Sequence, residues 1–292
     1  MSYRIKINPQ NGGELLNTFD KRNIARIMTL AQNIRYKHNA MDWEANPQFL
    51  IKKEGLDYSE YDLNHDSFLQ KYVTGPLKKI SGMIKAAFVV KEQIVLIDED
   101  LHKAKKPFGS AHELGHHGIP EHREILFVCS EHDLNQETRN EMEFEANVFA
   151  SEILYPNPLM DSIHSKFPMS MDTILYLNKI SGGSIHSAAL KYVTSSNKEC
   201  CLLTLEKCTD ENDNPGLTVT NQIPSGAWVK TNGPKLIREG QFLPKEHIVS
   251  QVVFSPDDVS KGEITIGNTE KTFRAESFFN GYIVFALLFK DQ

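Results

Sequence analysis

The apolar positions of the chain change period about two-thirds of the way along it. In the first part they recur at helical spacing. Ile24, Ile27, Met28, Ala31 and Ile34 predict an amphipathic helix between Arg22 and His38, and Met142, Ala146, Phe149, Ala150 and Ile153 mark the buried face of a long helix that Tyr155-Pro156-Asn157-Pro158 ends. Two shorter helices are expected over Asp172 to Ile180 and Ser184 to Val193, with Gly182-Gly183 between them. That pair has the outline of a helix-turn-helix, but nothing basic marks its second helix, and it reads as scaffold. A short helix is expected near Pro47 to Lys53, and the rest of Asp42 to His65 shows no period. Met83 to Val90 and Ile94 to Ile97, parted by Lys91-Glu92-Gln93, predict a hairpin. Ile125 to Cys129 is a further apolar run, followed by the polar loop Ser130 to Gln136.

Beyond the polar bridge Thr194 to Glu199 the runs become strand-like: Cys201 to Glu206, Leu217 to Thr220, Ile248 to Phe254, Glu263 to Ile266 and Tyr282 to Phe289. Glycine, proline and Asn/Asp clusters such as Asp210 to Gly216 separate them, as in an antiparallel sheet. The expected architecture is α+β, with residues 1–195 forming one domain and 196–292 a smaller β-rich one.

Length and charge narrow the function classes. The 292 residues suffice for two cores, and a net charge of −6 gives no basic excess to point towards nucleic acid or an anionic membrane. The N-terminal Met1-Ser2-Tyr3-Arg4-Ile5-Lys6 is followed by no apolar run, and the longest apolar stretch, Tyr282 to Phe289, is too short to span a bilayer, so a cytoplasmic protein is expected. Cys129, Cys200, Cys201 and Cys208 lack both paired CxxC spacing and the density of a disulfide scaffold, and read as reduced, packing thiols.

The chemistry centres on His112-Glu113-Leu114-Gly115-His116. Histidines at i and i+4 on a helix stand on one face, within reach of a single Zn²⁺. Glu113, one position round, can take a proton from activated water without binding the metal itself. Pro107 suits the start of this helix, Phe108, Ala111 and Gly115 can pack inward, and Gly118 and Pro120 stop it.

A hydrolytic zinc takes three protein ligands and leaves a position for water, so a third ligand is required. His122 stands where the pattern HExxHxxGxxH has its last histidine, but Ile119 occupies the glycine position and Gly118 comes one residue early. Glu143 is the rival, with Asn147 one turn later to orient a ligand histidine. Glu145 competes, and periodicity alone does not choose between the two glutamates; the partnership with Asn147 favours Glu143. His117, rotated about 100° from His116, and His132, in a polar loop, are expected to be exposed and not to be ligands.

Ala111-His112-Glu113-Leu114-Gly115-His116 followed by Glu143-Phe144-Glu145-Ala146-Asn147-Val148-Phe149-Ala150 and Pro156 resembles the ImmA/IrrE family of zinc metallopeptidases. The resemblance spans Met83 to Val193. It implies a gluzincin-like metalloprotease domain with zinc on His112, His116 and Glu143, Glu113 as general base and Asn147 behind the ligands. Members of that family cleave helix-turn-helix repressors and switch on stress-response or mobile-element genes, so the implied partner is a protein substrate of that kind. Direct nucleic-acid or membrane binding is not expected. The chain departs from the pattern at Glu152-Ile153-Leu154-Tyr155-Pro156, where the family more often has a leucine-methionine ending, and its last third matches no motif. The alternative is a zinc-containing, non-catalytic sensor acting through its C-terminal domain; Glu113 counts against it, because a structural site has no need of a base.

Overall fold

A computed structural model of the chain describes residues 18–43, 46–63, 85–128, 136–254, 258–266 and 271–290. Met83 and Ile84 of the expected hairpin, Cys129, the loop from Ser130 and His132 lie outside the described residues, as does the N-terminal hexapeptide. The fold is mixed α+β and divides into two compact units. One comprises residues 1–41, 47–101 and 109–153, and the other residues 42–46, 102–108 and 154–292.

In the first unit, α1 (Thr18–Lys37) buries Ile27, Ala31 and Ile34, one turn apart along a single stripe. The short helix α2 (Pro47–Lys53) buries Leu50 and Ile51 and leads into β1 (Asp57–Tyr61). This strand lies in the stretch where the sequence shows no period: its side chains are polar and only partly buried, so no alternation advertises it. The expected hairpin forms from β2 (Ala86–Val89) and β3 (Ile94–Asp98), paired antiparallel with Val89 opposite Ile94. A 3-10 turn over Val90–Glu92 joins them and closes on Gln93 at φ 51°. The sheet order is β1-β3-β2, and β3 pairs parallel with β1. As the central strand it is nearly continuously apolar, with Val95, Leu96 and Ile97 buried.

Two helices then carry the candidate site: α3 (Lys106–Gly118) and, after α4 (Pro120–Val128), the long α5 (Gln136–Leu154). Residues 125–128, an apolar run by sequence, are the end of α4. The buried face of α5 is Met142, Ala146, Phe149, Ala150 and Ile153, as the spacing predicts. Gly115 lets α3 approach it closely. A Cβ there would lie 3.3 Å from Ala146 Cα and Phe149 Cβ, and one on Gly118 would lie 2.7 Å from the Phe149 ring.

In the second unit, α6 (Asn157–Lys166), α7 (Met171–Ser181) and α8 (Ile185–Thr194) precede the strands. Pro158 ends the pattern of α5 but suits the first turn of α6, a helix that the sequence reading omits. Ser170 and Ser184 cap α7 and α8 by accepting from the Thr173 and Ser187 amides. These helices fall with the second unit.

The six-stranded antiparallel sheet has the order β6-β5-β4-β9-β8-β7: β4 (Cys200–Thr209), β5 (Pro215–Pro224), β6 (Phe242–Pro244), β7 (Val259–Ile266), β8 (Lys271–Phe279) and β9 (Val284–Phe289). Its core gathers Leu203, Leu205, Val219, Phe273, Ala286 and Leu288 around the buried Trp228 of α9 (Gly226–Asn232). Ile248 to Phe254, expected as a strand, is instead the helix α10 (Ile248–Phe254). Its β-branched residues favour a strand, but Val249 and Val252 reach the core from one helical face, and packing overrides propensity. The sequence reading omits β8, along which the buried Phe273, Ala275 and Ser277 alternate with Thr272, Arg274 and Glu276. No helix among the described residues is long and apolar enough to cross a membrane.

Candidate metal centre

The histidine pair and its partners all lie in the first unit, on α3, α4, α5 and α1. His112 Nε2 and His116 Nε2 stand 3.2 Å apart, as residues one helical turn apart can. Helix α5 brings the Glu143 carboxylate to both, with Oε2 at 3.3 Å from His112 Nε2 and Oε1 at 3.5 Å from His116 Nε2. Among the described residues this His-His-Glu group forms a cluster able to hold a metal ion. The Glu143 side chain is 50% exposed while the imidazoles are largely covered, so the cluster is open on the carboxylate side.

Each imidazole is held from behind. His112 Nδ1 lies 3.1 Å from Asn147 Oδ1, which can only accept, so Nδ1 carries the proton and Nε2 presents its lone pair. His116 Nδ1 lies 3.1 Å from His122 Nδ1, and His122 Nε2 lies 2.8 Å from Glu145 Oε2. Burial lowers the His122 pKa, which favours the neutral ring. Burial works to raise the Glu145 pKa, but hydrogen bonds from His122 and Asn23 outweigh it and keep the carboxyl ionised. A neutral His122 must then donate from Nε2 to Glu145 and accept at Nδ1 from His116, again leaving Nε2 of His116 to face the cluster.

The electrostatics of the cluster favour positive charge at its centre. Burial disfavours the Glu143 carboxylate, yet the His112 and His116 rings beside it outweigh that and hold its pKa far below the ordinary range. Burial likewise disfavours a charged His112, but the Glu143 hydrogen bond and the charges of Glu113 and Glu143 raise its pKa. Glu113 is 7% exposed, on α3 beside this pair.

Of the residues that the sequence weighs as third ligand, Glu143 is therefore the one brought to the histidine Nε2 atoms. His122 and Glu145 pair with each other one layer out, a partnership that sequence reasoning missed. His117, expected to be exposed, is buried: its ring meets Phe88 edge-on at 5.6 Å, and Nε2 lies 3.7 Å from Glu54. Rotation of 100° about α3 does not bring a side chain to solvent when the helix is covered on that flank as well.

A His-His-Glu donor set is one that hydrolytic metal sites use. Residues 76–173 match the Peptidase_M78 family, described as the IrrE N-terminal-like domain, in agreement with the resemblance to the ImmA/IrrE family that the two motifs carry. The matched segment includes all of α3, α5 and the His-His-Glu cluster. No curated protein matches the chain. Among solved structures, the chain is similar to a Mycobacterium tuberculosis transcriptional regulator, with 12% identity over 92% of this chain and 90% of that one and a TM-score of 0.48.

Proposed function

We propose that the protein is a cytoplasmic zinc endopeptidase, with zinc held by His112, His116 and Glu143. The observation that carries this reading is the spacing of the three donors, each imidazole being oriented by its Nδ1 partner. Tetrahedral zinc at about 2.0–2.1 Å from its ligands sets them about 3.3 Å apart, and the separations here are 3.2, 3.3 and 3.5 Å. Two neutral imidazoles and a carboxylate are a donor set that suits zinc, and three protein ligands leave a position for water, as in hydrolytic sites.

Zinc, when bound, supplies the Lewis acidity that lowers the pKa of water and polarises a carbonyl. Glu113 is the general base: it takes the proton of the attacking water and passes it to the leaving amine as the peptide bond breaks. Asn147 and His122 keep the Nε2 lone pairs of His112 and His116 directed into the site. A protein substrate follows from the peptidase match, and a helix-turn-helix repressor is the substrate class that the family resemblance implies. The second unit then serves recruitment or control.

The test is a zinc determination on the purified full chain together with cleavage assays on helix-turn-helix repressors offered as substrates. Stoichiometric zinc and chelator-sensitive cleavage are expected. Zinc without cleavage of any repressor offered would favour the non-catalytic sensor.

A further inference from the structure

Behind His116 lies a chain of buried polar groups that a ligand histidine does not need for packing alone. His122 is 1% exposed and Glu145 7% exposed. Glu145 is itself gripped from α1, where Asn23 Nδ2 donates to its Oε1 and Arg26 Nη2 lies 4.0 Å from the same oxygen. Arg26 is anchored in turn on Glu121 at 2.9 Å, one residue before His122. An imidazole and a carboxylate buried together are costly to desolvate, and a hydrocarbon pair would fill the space more cheaply. What the polar pair supplies is direction, since an acceptor at Nδ1 of His116 selects one tautomer and one ring orientation.

We propose that His122 and Glu145 are a positioning pair that locks His116 in its metal-binding tautomer, with Asn23 of α1 holding the pair in place. The inference rests on the zinc reading above. The pair touches no metal and no substrate; it acts through His116. Helix α1 thereby becomes part of the metal site, although it contributes no ligand.

The role can be separated from packing by which atom a substitute keeps. Asparagine places its Oδ1 where His122 has Nδ1, and so preserves the acceptor facing His116. Glutamine places its Nε2 where His122 has Nε2, and so preserves only the donor facing Glu145. The experiment measures Zn²⁺ affinity by chelator competition on the full-length protein, with urea unfolding of each metal-free variant as the check on folding. Loss of zinc by the wild type would overturn the zinc reading itself, whatever the variants do.

With the wild type binding one zinc, His122→Gln and His122→Ala should bind 10- to 100-fold more weakly, the cost typical of removing a partner behind a ligand histidine. His122→Asn should stay within a few-fold of wild type. Glu145→Ala should fall with the alanine variant, and Asn23→Ala should show a smaller loss in the same direction. If His122 variants do not fold, Glu145→Ala decides alone. Wild-type affinity in a folded His122→Ala or Glu145→Ala protein, or rescue by glutamine and not by asparagine, would overturn the proposal.

Discussion

Asn147 Oδ1 accepts from His112 Nδ1 across 3.1 Å, one turn of α5 beyond Glu143, so a single helix supplies both a candidate ligand and the group that orients another. The i, i+4 spacing makes this possible, because Glu143 and Asn147 stand on the same face. Asn147→Ala should therefore weaken zinc binding by about 10- to 100-fold, whereas Asn147→Asp, which keeps an acceptor, should hold zinc nearly as well as wild type. Chelator competition reads both. Equal affinities in all three proteins would show that His112 is oriented by something else.

Glu143→Ala should be the more severe loss, since it removes a donor instead of its support. Metal analysis after dialysis should find Glu143→Ala without zinc while Asn147→Ala retains a fraction of it. Retention of full zinc by Glu143→Ala would shift the third-ligand role to another group.

Glu113→Gln separates binding from chemistry. The carboxamide is nearly isosteric but cannot accept the proton of water, so zinc content should be unchanged while cleavage drops by about 10²–10⁴-fold, the contribution of a positioned base. Single-turnover cleavage of a repressor substrate would measure it. Full cleavage with zinc in place would remove Glu113 from the mechanism, and loss of zinc would assign it a structural part.

The elements that sequence made legible are those whose apolar pattern and chemistry agree. The stripe of α5, the hairpin of β2 and β3 and the HExxH turn of α3 all follow from local spacing. What stayed hidden depends on contacts far apart in sequence. The polar β1 is a strand because β3 pairs with it, and Ile248 to Phe254 is a helix because Val249 and Val252 meet the core of a sheet formed by distant strands. The same holds at the site. Glu143 and Glu145 look alike in sequence, and only the approach of α3 and α5 through Gly115 sends one to the histidine pair and the other to His122.

That approach is itself testable. A Cβ on Gly118 would lie 2.7 and 2.9 Å from the ring of the fully buried Phe149 and 3.0 Å from Ile34 Cδ1. Alanine gains up to about 1 kcal/mol over glycine within a helix, but overpacking a closed core costs about 1–3 kcal/mol, so the clash wins. Gly118→Ala should lower stability in urea unfolding, and Phe149→Leu should make the same substitution less costly. A Gly118→Ala protein more stable than wild type would mean that the two helices are free to separate.

Acid stability should depend on Glu54, whose carboxylate joins Lys37 at 2.9 Å and His38 at 2.5 Å and faces His117 at 3.7 Å. Burial pushes its pKa up, but hydrogen bonds from Lys37 and His38 prevail and hold it below its ordinary value of 4.5. An acid with a depressed pKa in the folded state stabilises fully above its unfolded pKa, and that stabilisation disappears as pH falls through the folded value. Glu54→Gln should thus be less stable than wild type at neutral pH, with the difference shrinking below the ordinary carboxylate value as the wild-type group takes up its proton. Urea unfolding at neutral and strongly acidic pH measures the gap. A gap of constant size at both would show that the carboxylate contributes through packing and not through its charge.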